Sequence, residues 1–124
     1  MRILIVDDSI AMRRVEKNML IEWGFSDIVE ATDGAHALKL VAAAKFDLIL
    51  LDWKMPVLSG LDTLKSLKSN PDFKSIPVVM VTSESFKLKI LEAIQAGAAN
   101  YIIKPFSDEV FREKLEPFLK KENA

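Results

Sequence analysis

Arg2-Ile3-Leu4-Ile5-Val6-Asp7-Asp8 is the stretch on which the fold of this chain turns. A short apolar run reads as a buried strand, and it ends abruptly in two adjacent carboxylates. At ~4 Å and an effective dielectric of ~20, two such charges repel by roughly 4 kcal/mol. A folded protein keeps them together only where a cation, a shared proton or a basic partner neutralises them. The pattern recurs at Leu48-Ile49-Leu50-Leu51-Asp52, a second apolar run closed by an acid. In a parallel sheet the strand ends on one edge converge, so Asp7, Asp8 and Asp52 are expected to meet. Three hard oxygen donors at one point read as a divalent-cation site.

Outward from these two runs the chain alternates. Five apolar runs, Ile3–Val6, Ile28–Ala31, Leu48–Leu51, Val78–Val81 and Tyr101–Ile103, are separated by segments with helical spacing. The runs at Leu48 and Val78 are continuous, as central parallel strands covered on both faces should be. Met12, Val15, Met19 and Trp23 mark one helical face before Gly24, and Ala35, Leu38, Val41 and Ala42 mark the next. Leu61, Leu64 and Leu67 run to Asn70-Pro71; Leu88, Leu91 and Ile94 precede Gly97; Phe111, Leu115 and Phe118 form the last face. Ser9, Asp33, Ser59, Ser83 or Ser85, and Ser107 are the expected N-caps. The pattern predicts an α/β domain, (βα)5, a doubly wound five-stranded parallel sheet with helices on both faces.

The 124 residues suffice for one domain, and residues 1–124 are expected to form it without an output domain. Seventeen basic against eighteen acidic residues, a net charge of -1, give no footprint for nucleic acid or for a membrane surface. The absence of Cys excludes disulfides and thiolate metal sites. No apolar run approaches the ~20 residues of a bilayer span, and Asp7-Asp8 breaks any signal peptide. A cytoplasmic monomer is expected.

Ligands of open α/β sheets bind beyond the carboxyl edge of the strands. Read in order, the strand ends supply Asp7-Asp8, Asp52, Thr82-Ser83 and Lys104-Pro105. That set suits phosphoryl transfer to a carboxylate: acids hold Mg2+, one acid attacks, and a hydroxyl and an ammonium steady the phosphoryl oxygens. Taken singly, Asp8 also fits a turn or cap, Thr82 a strand, Tyr101 a strand aromatic, and Trp53 a pocket cover. Trp23, Met12 and Met19 read as core, and His36, the only histidine, as a solvent-facing helix residue.

Val6-Asp7-Asp8-Ser9, Asp52-Trp53-Lys54-Met55-Pro56, Val81-Thr82-Ser83 and Tyr101-Ile102-Ile103-Lys104-Pro105-Phe106 together resemble the receiver domain of bacterial two-component response regulators, of the single-domain CheY chemotaxis type. The resemblance covers essentially the whole chain and implies the strand order 2-1-3-4-5. It implies Asp52 as phosphoacceptor, and Asp7, Asp8, Asp52 and the backbone carbonyl of Trp53 as Mg2+ ligands. Lys104 would pair with the acids and then the phosphoryl group. Thr82 would donate its hydroxyl to that group, Tyr101 would change rotamer, and the Lys104-Pro105 bond would be cis.

The implied function is a signalling switch rather than an enzyme, catalysing only its own phosphorylation and dephosphorylation. Its expected partners are a CheA-like sensor histidine kinase, a flagellar motor switch protein and a phosphatase. The implied readout face comprises Ile90, Ile94, Tyr101, Lys104 and Phe111. A phosphorelay intermediate or phosphate sink is the alternative. A haloacid-dehalogenase-type phosphatase would need an acid where Lys54 stands, and in a flavodoxin-like carrier Asp7-Asp8 would repel the cofactor phosphate. Lys54 also departs from the best-known chemotaxis member, which carries Asn there. With Glu84 it is expected to modulate the rate of phosphate loss.

Overall fold

The computed structural model describes residues 1–120. Five strands, β1 (Ile3–Val6), β2 (Ile28–Ala31), β3 (Leu48–Leu51), β4 (Val78–Thr82) and β5 (Asn100–Ile103), alternate with five helices. The helices are α1 (Ile10–Glu22), α2 (Gly34–Ala43), α3 (Gly60–Ser69), α4 (Lys87–Gln95) and α5 (Asp108–Leu115), the last running into a 3-10 turn at Glu116–Phe118. All strand pairings are parallel, in the order β2-β1-β3-β4-β5. The expected architecture is the observed one.

Every residue of β1, β3 and β4 is buried, which accounts for their unbroken apolar runs. The edge strands carry the half-buried positions, Ile28 to Glu30 on β2 and Asn100 on β5. Two apolar layers flank the sheet. Leu20 of α1 and Phe111 and Leu115 of α5 pack on Ile3, Ile5, Leu48, Leu50, Val79, Val81 and Ile102. Ala37 and Val41 of α2, Leu64 and Leu67 of α3 and Ala93 of α4 pack on Leu4, Val6, Ile49, Leu51, Val78 and Met80.

Four predicted caps hold: Ser9, Asp33, Ser59 and Ser107 accept the backbone N–H groups of Met12, His36, Asp62 and Val110. The fifth does not. α4 starts after Phe86, with no side-chain cap from Ser83 or Ser85. The inward face of α4 also differs from expectation: Leu88 is 80% exposed, Leu91 and Ile94 face outward too, and Ala93 is the buried residue with Ile90 and Ala96 packed beside it. On α1 Val15 is 41% exposed, while Glu16 and Leu20 take the interior. Ala37 rather than Ala42 is buried on α2. Met12, Met19 and Trp23 are half-buried at the edge of the layer they were expected to fill, and His36 is exposed as expected.

Candidate functional site

Strand alternation gathers the site. The parallel pairing continues one residue past the strands: Asp7 N–H donates to Ala31, Asp52 N–H to Val6 and Lys104 N–H to Thr82, all to backbone carbonyls. Because Ile3 and Ile5, Leu48 and Leu50, and Ile102 lie in the α1/α5 layer, the period of two sends Asp7, Asp52 and Lys104 to that same side. Asp8 follows Asp7 at the exposed rim. Oxygens of Asp7, Asp8 and Asp52 lie within 4.8 Å of one another. The predicted convergence is present.

The Lys104 ammonium bridges two of these acids, 2.6 Å from Asp7 Oδ2 and 3.4 Å from Asp52 Oδ2. Asp7 Oδ1 accepts the Ser9 N–H at 2.9 Å, and Asp52 Oδ1 accepts the Trp53 N–H at 2.7 Å. Burial and the charge of Asp7 raise the Asp52 pKa, against the opposing effects of Lys104, the Thr82 hydroxyl and the Trp53 amide. Burial pulls the Lys104 ammonium downward, but its hydrogen bond to Asp7 and the charges of Asp52, Asp7 and Glu16 leave its pKa raised. One ammonium against three carboxylates leaves an excess of negative charge at the site. Hard, mostly buried oxygens carrying that excess fit a divalent cation of the Mg2+ or Mn2+ kind.

The Trp53 carbonyl already accepts the Gly60 N–H at 2.7 Å, and its second lone pair remains for a cation. Gly60 is required at that approach, since a Cβ there would stand 1.9 Å from the Asp52 carbonyl oxygen. Thr82 is fully buried, and its Oγ1 accepts the Glu84 N–H at 3.3 Å. Tyr101, also buried, donates its hydroxyl to the Glu84 carbonyl at 2.6 Å. Burial and the nearby charges of Glu84 and Asp52 push the Tyr101 phenol to about 12. The Lys104-Pro105 bond is cis. Lys54 is exposed; Glu84, half-buried, accepts the Phe86 N–H through Oε1 at 3.3 Å, and no ion pair joins Lys54 to Glu84 among the described residues.

A family model for the response regulator receiver domain matches residues 3–116. The chain belongs to that family. As a receiver domain it is 42% identical over 124 residues to the chemotaxis protein CheY of Pseudomonas aeruginosa, spanning the whole of both chains. The solved chemotaxis response regulator CheY4 of Vibrio cholerae superposes with a TM-score of 0.87 at 33% identity, over 95% of this chain and 98% of that one. The Mn2+-bound form of the response regulator Rcp1 superposes with a TM-score of 0.84 at 26% identity, over 98% and 96% of the two chains.

Several contributors to this receiver site escape a reading of strand ends. Arg13 of α1 donates to the Asp7 carbonyl at 2.7 Å and to Glu30 Oε1 at 3.0 Å, tying the helix to β1 and β2. Lys89 of α4 lies 5.5 Å over the Trp53 ring. Glu16 is 1% exposed, and burial first, then the charge of Asp7, raises its pKa to about 8. Its sequence signal is a carboxylate four residues from both Met12 and Leu20, inside the inward stripe of α1. Phe111, expected on the readout face, is instead fully buried, stacked on Phe106 at 4.6 Å.

Proposed function

We propose that this chain is a CheY-type response regulator: a sensor histidine kinase phosphorylates Asp52 in a Mg2+-dependent reaction, and the modified domain signals in chemotaxis. The convergence of Asp7, Asp8, Asp52 and Lys104 at the carboxyl edge of the sheet carries this reading. The full-length similarity to a chemotaxis CheY supports the chemotaxis role.

Asp7, Asp8, Asp52 and the Trp53 carbonyl would hold Mg2+, whose charge offsets that of the incoming phosphoryl group. Asp52 presents Oδ2, since Trp53 N–H engages Oδ1. Attack of Oδ2 on the phosphorus of a phosphohistidine forms the acyl phosphate and breaks the P–N bond, and the departing imidazole takes up a proton. Lys104 then pairs with a phosphoryl oxygen and Thr82 donates its hydroxyl to another. A turn of Thr82 toward the phosphoryl group would disturb the bond its Oγ1 accepts from Glu84 N–H, and Tyr101, bound to the Glu84 carbonyl, would respond. Phosphate and Mg2+ act by differential contact with two conformations, which shifts the population between them.

The readout surface is the outward side of α4 with β5 and α5, where Leu88, Leu91, Ile94, Ile103 and Val110 are exposed. A flagellar motor switch protein and a phosphatase are the partners this surface and site would serve. No helix among the described residues is long and apolar enough to cross a membrane, and the proposed compartment is the cytoplasm. The test is phosphorylation by acetyl phosphate with Mg2+, which should label wild type and not Asp52→Asn. Label retained in that variant rejects Asp52 as the sole acceptor.

A further inference from the structure

Glu16 occupies a place where a carboxyl is expensive. Helical spacing puts it one turn before Leu20, on the side of α1 that faces the sheet. It is 1% exposed, and its Oε2 has no hydrogen-bond partner among the described residues. A buried polar atom left unpaired forfeits its hydration without return, so its presence calls for a state in which it is used. The groups that act on it electrostatically are Asp7, Lys104 and Asp52, from the ends of β1, β5 and β3. All three project into the layer that Glu16 enters from the helix side. The unpaired oxygen therefore belongs to the same side of the sheet as the acidic site, and the charge of the site's one ammonium acts on it.

Lys104 is held by Asp7 Oδ2 and Asp52 Oδ2. Those carboxylates are the ones a divalent cation would take. A cation there would compete for the same oxygens and weaken the attraction that holds the ammonium. Lys104 then needs an acceptor set back from the metal, and Oε2 is an unused one on the same side of the sheet. A carboxyl oxygen accepts from an ammonium whether or not the group carries its own proton.

We propose that Glu16 is a positioning residue: its unpaired Oε2 receives the Lys104 ammonium when a divalent cation occupies Asp7, Asp8 and Asp52, which frees Asp52 for attack before the phosphoryl group arrives. This rests on the cation reading of the acidic site and adds to it a second station for Lys104.

The experiment is a double-mutant cycle read by Mg2+ affinity, with Trp53 fluorescence as the signal, in wild type, Glu16→Val, Lys104→Met and the double variant. Glu16→Gln is measured beside them, because its amide oxygen still accepts from an ammonium. Glu16→Val removes an unpaired buried carboxyl, so folding is retained. Its Mg2+ affinity should fall about tenfold (~1.4 kcal/mol) while Lys104 is present. Glu16→Gln should stay within about threefold of wild type, and in the Lys104→Met background Glu16→Val should change nothing. The side-chain NH3+ resonance of Lys104 should shift on adding Mg2+ in wild type but not follow the same course in Glu16→Val. An equal loss in both backgrounds marks plain charge removal and overturns the proposal, as does an unchanged Glu16→Val. A wild type that gives no Mg2+ response overturns the cation site itself, and this proposal with it.

Discussion

The hydroxyl of Tyr101 donates to the backbone carbonyl of Glu84 at 2.6 Å, latching β5 to the loop that follows Thr82. The same peptide segment is gripped again at its N–H, which donates to Thr82 Oγ1 at 3.3 Å. Tyr101 is the only tyrosine, so its titration is read without interference. The phenol should ionise near 12 instead of its ordinary 10. The folded-state pKa exceeds the unfolded one, so the stability tied to the neutral phenol is complete below pH ~10 and is lost as pH rises through the folded value. Tyr101→Phe should cost about 1 kcal/mol in denaturant unfolding. An ordinary midpoint in an ultraviolet titration of wild type rejects the latch.

A pH-dependent stability term also follows from Glu16. Its carboxyl holds its proton up to about pH 8, whereas in the unfolded chain it releases it near 4.5. The folded state therefore binds more protons between those values, and stability declines as pH rises through that window. Glu16→Gln removes the dependence. Its unfolding free energy should equal or exceed that of wild type at pH 8 by ~1–3 kcal/mol, with a smaller difference at pH 5. Urea unfolding at the two pH values measures this, and parallel pH dependence in both proteins contradicts it.

The legible and illegible parts of the chain divide on physical grounds. Asp7 and Asp52 announce themselves because an apolar run that stops at an acid leaves few alternatives to a strand end. Thr82 and Lys104 become readable once that edge is taken as the site. The helical face read through Val15 misses Glu16, because burial of a lone carboxylate is a poor expectation; burial first, then the charge of Asp7, raises its pKa. On α4 the larger side chains mark the inward stripe by spacing, yet the helix seats on Ala93 and shows Leu88, Leu91 and Ile94 to solvent. Apolar periodicity does not distinguish a face that packs on the sheet from one left for a partner. The pairing of Lys89 with the Trp53 ring depends on the placement of α4 against the acceptor loop, which no local pattern encodes.

Val57, in the loop after the acceptor, has φ 69 and is 81% exposed. A β-branched residue in the left-handed region crowds its own carbonyl, and the exposed side chain offers no burial in return. Val57→Asn should stabilise the domain by about 1 kcal/mol, seen as a melting temperature ~3–6 °C higher. The site side chains keep their partners, so acetyl phosphate labelling of Asp52 should be unaffected. A lower melting temperature would show that the conformation at 57 is not strained.

The lifetime of the acyl phosphate depends on what stands at the mouth of the site. Hydrolysis needs a water in line behind the phosphorus, on the solvent side of Asp52. Lys54 lies two residues past the proposed acceptor Asp52 and Glu84 two past Thr82, spacings that are expected to place both near that approach. Lys54 and Glu84 are not paired with each other: Lys54 extends into solvent and Glu84 caps the Phe86 N–H. The proposed phosphorylation of Asp52 would add anionic oxygens two residues before Lys54, and their charge would draw its ammonium inward over the path the water must take. An exposed ion pair of this kind contributes only ~0–1 kcal/mol to stability. Its kinetic effect is larger, because each ~1.4 kcal/mol added to the barrier slows the step tenfold. Lys54→Asn shortens the side chain and removes the charge, and phosphate release should accelerate by about three- to tenfold. Single-turnover decay of the labelled protein, after removal of the phosphodonor, measures the rate directly. Equal or slower release from Lys54→Asn means that Lys54 does not shield the acyl phosphate.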